Sequence, residues 1–113
     1  MLPTGARLRT RSEFQSALRH ARRLGGPTVV VHLARDGSGP ARVGFIVGRT
    51  VGPAVSRNRL RRQLRHLLRE RLPRLPAGTR LVVRGLPAAA GRSSAELGHD
   101  LDALLGRATG AAG

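Results

Sequence analysis

The segment that most constrains the fold spans residues 49–72, where leucines recur at helical spacing beside a run of arginines. Gly52 and Pro53 interrupt the strand predicted before them, and proline is tolerated in the first turn of a helix because its missing N–H has no partner there. The leucines that follow fall on one stripe at about 100° per residue: Leu60, Leu64, Leu67, Leu68 and Leu72. The segment therefore predicts a helix that packs its leucine face on a core and ends at Pro73.

The arginines of this helix are placed where they do not help it to fold. Seven of the chain's 21 basic residues lie between positions 54 and 72, against one acid, Glu70. Arg57 and Arg61 follow the edge of the apolar face, and four more arginines project from the far side together with His66: Arg59, Arg62, Arg65 and Arg69. Positive charge in the first turns opposes the helix dipole by about 0.3–1 kcal/mol per residue, and like charges four residues apart cost about 0.2–0.5 kcal/mol.

An external anion explains this arrangement better than a solvated helix face does. The unpaired N–H groups at a helix start attract phosphate, and guanidinium groups bind phosphate oxygens through two hydrogen bonds. The whole chain carries a net charge of +15, from 21 basic and six acidic residues in 113. We therefore expect a nucleic acid as the partner.

Length and composition exclude several other classes of protein. A chain of 113 residues predicts one domain with a modest core. The absence of cysteine excludes disulfides and thiolate metal sites. No apolar run approaches the roughly 20 residues of a membrane span, and the N-terminus lacks the apolar region of a signal peptide. We expect a cytoplasmic protein that does not bind membranes and is a monomer when free.

The first half of the chain predicts an arm, a helix and two strands. Residues 1–9 form a flexible basic arm ahead of a domain at 10–107. Thr10 and Glu13 fit a capping box, opening a helix to about His20 or Arg22 that residues 24–27 end. Residues 28–35 and 42–47 are rich in β-branched and apolar side chains and predict two strands paired as a hairpin.

The second half predicts a strand and a final helix. Residues 79–84 form a strand that should run parallel to the one before the arginine helix, because a helix connects them. Such crossovers are nearly always right-handed. Ser93 and Glu96 fit a second capping box for a helix whose acids stand near its start. Residues 108–113 are predicted to form a flexible tail.

The sequence contains no pattern typical of a protein active site. The acids are scattered and lack the spacing of paired carboxylates or of a metal site. The histidines stand singly, without the spacing of zinc ligands: His20, His32, His66 and His99. We therefore predict no catalytic residue and no metal ligand on the protein.

Two groups of short segments, one near the N-terminus and one in the middle of the chain, carry a family resemblance. Arg7-Leu8-Arg9 stands close to Glu13-Phe14-Gln15, and Arg42-Val43-Gly44-Phe45 leads into residues 51–62, which centre on Arg57-Asn58-Arg59 and end in Arg61-Arg62. This combination resembles the protein subunit of bacterial ribonuclease P. The resemblance spans roughly residues 7–107 and is strongest from 42 to 70.

The resemblance implies a fold and a function. The fold is a small α/β (α+β) domain of the ribosomal S5 domain 2-like type, with the order αβββαβα, a left-handed βαβ crossover and a central sheet packed by helices. The function is assistance to a catalytic RNA subunit that uses Mg²⁺ to remove the 5′ leader of precursor tRNA. The protein would bind both RNAs and hold no cofactor of its own.

The resemblance also assigns roles to residues. The basic motif implies contact with the RNA subunit through Arg57, Asn58, Arg59, Arg61 and Arg62, with Arg65 one turn further on. A central cleft for the leader is implied by Phe14, Leu18, Val30, His32, Arg49 and Arg84. The family commonly has aromatic residues at the positions of Leu18 and His32 and a basic residue at that of Thr50. The arginine that the family has after the last strand aligns with Gly85 of this chain, so Arg84 stands one place earlier than the family's arginine.

Residue patterns alone leave other functions open. A ribosomal or RNA-chaperone protein of the same fold would carry a similar basic helix. A DNA-binding protein could place that helix in a major groove, and a nuclease acting alone is a further alternative that the scattered acids do not support.

Overall fold

The computed structural model describes residues 7, 8, 10–19, 21–35 and 39–109, without the side chain of residue 109. The helices and strands are α1 (Arg11–Arg19), β1 (Arg22–Gly25), β2 (Val29–Arg35), β3 (Arg42–Ile46), α2 (Ala54–Arg71), β4 (Thr79–Gly85) and α3 (Ser94–Thr109). One-turn 3-10 helices lie at Arg49–Val51, Leu72–Arg74 and Pro87–Ala89. This order confirms the αβββαβα arrangement and the α+β class.

The four strands form one sheet in the order β1-β2-β4-β3. β3 and β4 are parallel, as the helical connection predicted, and β2 is antiparallel to both β1 and β4. The predicted hairpin between β2 and β3 is wrong, because β4 lies between them. β4 suits this central place because Leu81, Val82 and Val83 are fully buried, and they point to both faces of the sheet. The hand of the β3–α2–β4 crossover stays a prediction, right-handed from the general rule and left-handed from the family resemblance.

The strand β1 was implied by the family resemblance, and residue patterns alone did not predict it. α1 ends at Arg19, and the next described residues turn into a four-residue strand at the sheet edge. Its register pairs Arg23 with His32 and Leu24 with Val31. Two arginines and a glycine give it no β-branched signal, so pairing with β2 determines its conformation rather than local preference.

The main core lies between one face of the sheet and the helices α2 and α3. The predicted leucine face of α2 is confirmed, since Leu60, Leu64, Leu67 and Leu68 are at most 5% exposed. They pack with β-strand residues such as Val31 and Leu81 and with the α3 leucines. This packing fixes the orientation of α2 and therefore of its basic side.

The opposite face of the sheet is covered by α1 and the N-terminal segment. Leu8, Ala17 and Val82 form a small second core there. The Thr10 N–H donates to Glu13 Oε1 (2.9 Å) and the Glu13 N–H donates to Thr10 Oγ1 (3.1 Å), which confirms the first capping box. The matching bonds of Ser93 and Glu96 confirm the second.

The predicted arm and tail lie only partly within the described residues. Arg7 bridges β3 at Val43, and the Leu8 N–H donates to the Val43 carbonyl (2.7 Å). The rest of the arm falls outside the described ranges, as do residues 110–113 of the tail. Within the described part of the chain, no helix is long and apolar enough to cross a membrane.

Candidate nucleic-acid interface

A tight connection between β3 and α2 sets where the basic helix begins. Val51 is buried and anchors the one-turn helix there, and Gly52 then adopts φ 144°, a conformation that side chains rarely permit. The Gly52 carbonyl accepts a hydrogen bond from Arg57 Nε (3.1 Å). The loop and the first arginine of the motif therefore hold each other in place.

Arg57, Arg61 and Arg65 form one half-buried side of α2, which we call the basic flank. Arg61 donates to the Val47 carbonyl (3.2 Å) and to Asn58 Oδ1 (3.1 Å). These neutral acceptors orient Arg61 and leave its charge uncompensated. Arg65 was predicted on the solvent side of the helix. It is half-buried instead, because the flank faces the outer edge of β3 and the N-terminal segment.

A second group of polar residues on α2 is open to solvent. Asn58, Arg59, Arg62 and Arg69 are all exposed, as is His66. Val55, 81% exposed, is the large apolar side chain most open to solvent among the described residues. The helix therefore presents a continuous basic surface from its flank to its solvent side.

Glu70 is the one acid of α2, and the other carboxylates of the described residues lie on other elements. None of them pairs with an α2 arginine between positions 57 and 69. Arg71, at the end of α2, behaves differently and donates to Asp102 of α3 (2.7 Å), which lowers the pKa of Asp102. An arginine that serves the fold is thus paired, and the arginines of the motif lack carboxylate partners. The open basic surface predicted from the sequence is present.

The residues assigned to the leader cleft share the sheet face that α1 partly covers. Register places Val30 beside Arg84 on neighbouring strands, and His32 beside Val82. Val30 is 3% exposed and forms the floor, while Arg84 is exposed. A Cβ at Gly85 would lie 2.7 Å from Leu60 in the main core, so position 85 faces α2. Position 84 is therefore the one that points into the cleft.

Phe14 and Leu18 line the α1 side of this face. Both are half-buried and pack against the small second core, together with Ile46. Gly44 makes room for the ring of Phe14, since a Cβ at Gly44 would lie 2.5 Å from Phe14 Cζ. Arg49 is exposed in the turn that follows β3. Because β3 and β4 are parallel, Arg49 and Arg84 both lie at the carboxyl end of these strands.

Three residues near these sites were not assigned by the sequence. Arg23 lies beside His32 across the β1–β2 pair and extends the cleft with a further positive charge. Arg7 and Phe45 line a cavity with Arg61 and Arg65 at the outer edge of β3. All three depend on contacts between distant segments. The signals available for Arg7 were the arginines near the N-terminus and its place in the Arg7-Leu8-Arg9 segment of the family resemblance.

His32 provides a test of the cleft's electrostatics. Desolvation, followed by the charges of Arg84 and Arg23, lowers its pKa below the ordinary value of 6.5. The unfolded chain then takes up a proton first as the pH falls, so His32 stabilises the folded protein above pH 6.5 and this stability is lost at lower pH. We expect NMR titration to show a His32 pKa below 6.5, and Arg84→Gln to raise the His32 pKa. A His32 pKa at or above 6.5 would contradict the cleft described above.

The comparisons with known proteins decide the family. The family model described as Ribonuclease P matches residues 2–109. The chain belongs to the ribonuclease P protein family. A ribonuclease P protein component from Acidothermus cellulolyticus is 53% identical over 112 residues, covering 96% of this chain and 92% of that protein. One from Salinispora tropica is 49% identical over 127 residues, covering 96% and 93%.

Solved structures agree with the fold. The ribonuclease P protein of Thermotoga maritima is similar with a TM-score of 0.78 and 28% identity, covering 89% of this chain and 96% of that one. A Staphylococcus aureus ribonuclease P protein mutant shares the fold with a TM-score of 0.80 at 20% identity, covering 93% and 89%.

Membership in the ribonuclease P family brings a function and a partner. The family processes the 5′ ends of tRNA, and its protein component is part of a ribonucleoprotein endoribonuclease with an RNA subunit. This decides against the ribosomal-type and DNA-binding alternatives.

Proposed function

We propose that the basic surface of α2 binds the ribonuclease P RNA subunit and that the sheet face beside α1 binds the leader of precursor tRNA. The observation that carries the proposal is the run of α2 arginines without carboxylate partners among the described residues. Such a surface is unfavourable for an isolated helix, and RNA phosphates supply the missing negative charge.

The proposed RNA-subunit contact combines arginines that hydrogen bonds orient with arginines that are exposed. Arg57 and Arg61 are oriented by backbone carbonyls and meet phosphates without first giving up a salt bridge. Arg59 and Arg62 are exposed and adapt to the RNA surface, with Asn58 between them and Arg65 on the flank. About five phosphate contacts would make log K fall by about 3.5 per tenfold rise in salt, at about 0.7 per contact.

The proposed leader contact is mainly electrostatic. Arg84, Arg49 and the additional Arg23 place positive charge around a face whose floor is apolar Val30. Phe14 offers a ring at one side, and Leu18 and His32 offer smaller surfaces than the aromatic residues common in the family. Contacts of this kind tolerate different leader sequences, because phosphates are the same at every position.

The proposal leaves the chemistry to the RNA. Mg²⁺ would be held by the RNA subunit, and the protein would lower the repulsion between two polyanions that must come together. Since the substrate is a newly made tRNA precursor, we place the protein in the bacterial cytoplasm, and as a monomer when free.

Reconstitution with the RNA subunit from the same organism tests the proposed function. We expect the protein to raise cleavage of a precursor tRNA at low Mg²⁺, and to do so more strongly for a long leader than for a one-nucleotide leader. The variant His32→Ala separates the two proposed contacts, because it should reduce the advantage of the long leader and leave assembly with the RNA subunit intact. If the wild-type protein raised cleavage of both substrates equally, the leader cleft would be contradicted. If it raised cleavage of neither substrate, the proposed function would be contradicted.

A further inference from the structure

A cavity of about 300 Å³ lies between the N-terminal segment, the outer edge of β3 and the basic flank of α2. Its volume is at the lower end of the range for small-ligand sites, about 300–1,000 Å³. Leu8 and the strand β3 form its apolar base. The cavity is therefore large enough for one flat ring and a phosphate group.

Both aromatic residues of the chain line this cavity. Phe14 and Phe45 are the only aromatic side chains among the 113 residues, apart from the imidazole rings of histidine. Phe14 reaches it from α1, and Phe45 from β3. Each ring offers a nucleobase a surface for stacking, the interaction that single-stranded complexes use irrespective of sequence.

Three arginines complete the lining, and none of the lining residues is acidic. Arg7, Arg61 and Arg65 come from the N-terminal segment and from two successive turns of α2. Arg65 Nε is buried and has no hydrogen-bond partner among the described residues. A buried donor without an acceptor is unfavourable, so the site favours a ligand that brings an acceptor.

We propose that this cavity binds one unstacked nucleotide of the RNA subunit, with its base against Phe45 and its phosphate near Arg65 and Arg7. The inference rests on the proposed function of α2, and it adds a base pocket to a surface otherwise described by phosphate contacts. The RNA subunit is the favoured source because two of the three arginines belong to the basic flank. Phe14 is shared with the leader cleft, whereas Val30, His32 and Arg84 of that cleft do not line the cavity.

Adenosine 5′-monophosphate is the probe for a first test on the free, full-length protein. With the protein ¹³C-labelled, its aromatic NMR spectrum contains two phenylalanines and four histidines. Stacking shifts ring signals, so we expect the nucleotide to move the Phe45 resonances and to bind about 10-fold more tightly than ribose 5-phosphate, which lacks the base.

Two variants separate the base from the phosphate. Phe45→Leu keeps an apolar side chain and should lower the affinity for the nucleotide to that for ribose 5-phosphate. Arg65→Gln should lower both affinities. His32→Ala, in the leader cleft, is the matched control. It should change neither the shift that the nucleotide causes in the Phe45 resonances nor the affinity measured from that shift. Equal affinity for the two probes, or shifts confined to His32, would overturn the proposal.

The assembled complex gives the second test. Phe45→Leu should weaken binding of the RNA subunit about 10-fold and leave the advantage of long over short leaders unchanged. A loss of that advantage, with normal RNA-subunit binding, would overturn the assignment to the RNA subunit. If the wild-type chain failed to bind the RNA subunit, the proposed function itself would fail, which is a different result from loss of the pocket alone.

Discussion

Replacing Arg57 and Arg61 together by glutamine is expected to weaken RNA-subunit binding about 100-fold or more at about 0.1 M salt. Hydrogen bonds to charged groups contribute about 1.5–3 kcal/mol each, and two are lost. The dependence of log K on log salt should also become shallower by about 1.4, at about 0.7 per phosphate contact. Filter binding of the labelled RNA subunit across a salt series measures both quantities.

The matched control removes two charges from a different side of the molecule. Arg74 and Arg107 are exposed and lie near α3, where the carboxylates Asp102, Asp100 and Glu96 are placed. The Arg74→Gln, Arg107→Gln variant carries the same net charge as the first variant. We expect the dependence of log K on log salt for this variant to stay within about 0.3 of the wild-type slope, because no contact with an RNA phosphate is lost. Equal changes in the two variants would mean that net charge, rather than the basic flank, determines binding.

Gly44→Ala is expected to destabilise the domain by about 1–3 kcal/mol and to disturb the leader cleft. The added methyl group would lie 2.5 Å from Phe14 Cζ and 3.1 Å from Leu8 Cβ, so the Phe14 ring must move. Urea unfolding gives the loss of stability. Cleavage of a long-leader precursor, compared with a short-leader one, gives the effect on the cleft.

Gly48→Ala is the control for the glycine substitution. Position 48 follows the same strand and has φ −91°, which alanine adopts readily, and a methyl group added there would meet no heavy atom within 4 Å. The stability of this variant should equal or slightly exceed that of the wild type, since alanine restricts the unfolded chain. A Gly44→Ala variant as stable as Gly48→Ala would show that Phe14 is not packed on the strand.

The helix α2 could be predicted from sequence because its signals are local. Leucines at helical spacing identified the buried face, and Pro53 preceded the first helical residue, Ala54. The capping boxes were equally local, each depending on two residues three positions apart. Charge placement added the functional prediction, because the arginines of the motif oppose the helix dipole that the acids of α3 complement.

The arrangement of strands could not be derived in the same way. β1 has four residues and is stabilised by pairing with β2 rather than by its own composition. The place of β4 between β2 and β3 depends on how the crossover helix docks, and no periodicity records it. The hairpin prediction followed the common preference for sequence neighbours to pair, which this sheet does not obey.

The site shows the same division between local and distant information. The motif identified Arg57 and Arg61, and the structure adds that carbonyls of the preceding loop and strand orient them. Strand register was needed to place Arg23 beside His32, and the cavity was needed to give Phe45 a role. Side chains alternate between the two faces of β4, and position 85 meets Leu60 in the main core. Arg84, rather than the position where the family has its arginine, therefore lies on the cleft side in this chain.

Site-specific crosslinking in the assembled complex shows whether the basic surface of α2 contacts the RNA subunit. The chain has no cysteine, so Val55→Cys introduces a single thiol on the exposed side of α2 without removing a charge. His99→Cys places a matched thiol on the exposed side of α3. With a photoreactive group on each, we predict crosslinks to the RNA subunit from position 55 and none from position 99. Crosslinks from position 99 alone, in a complex that still cleaves precursor tRNA, would contradict the account.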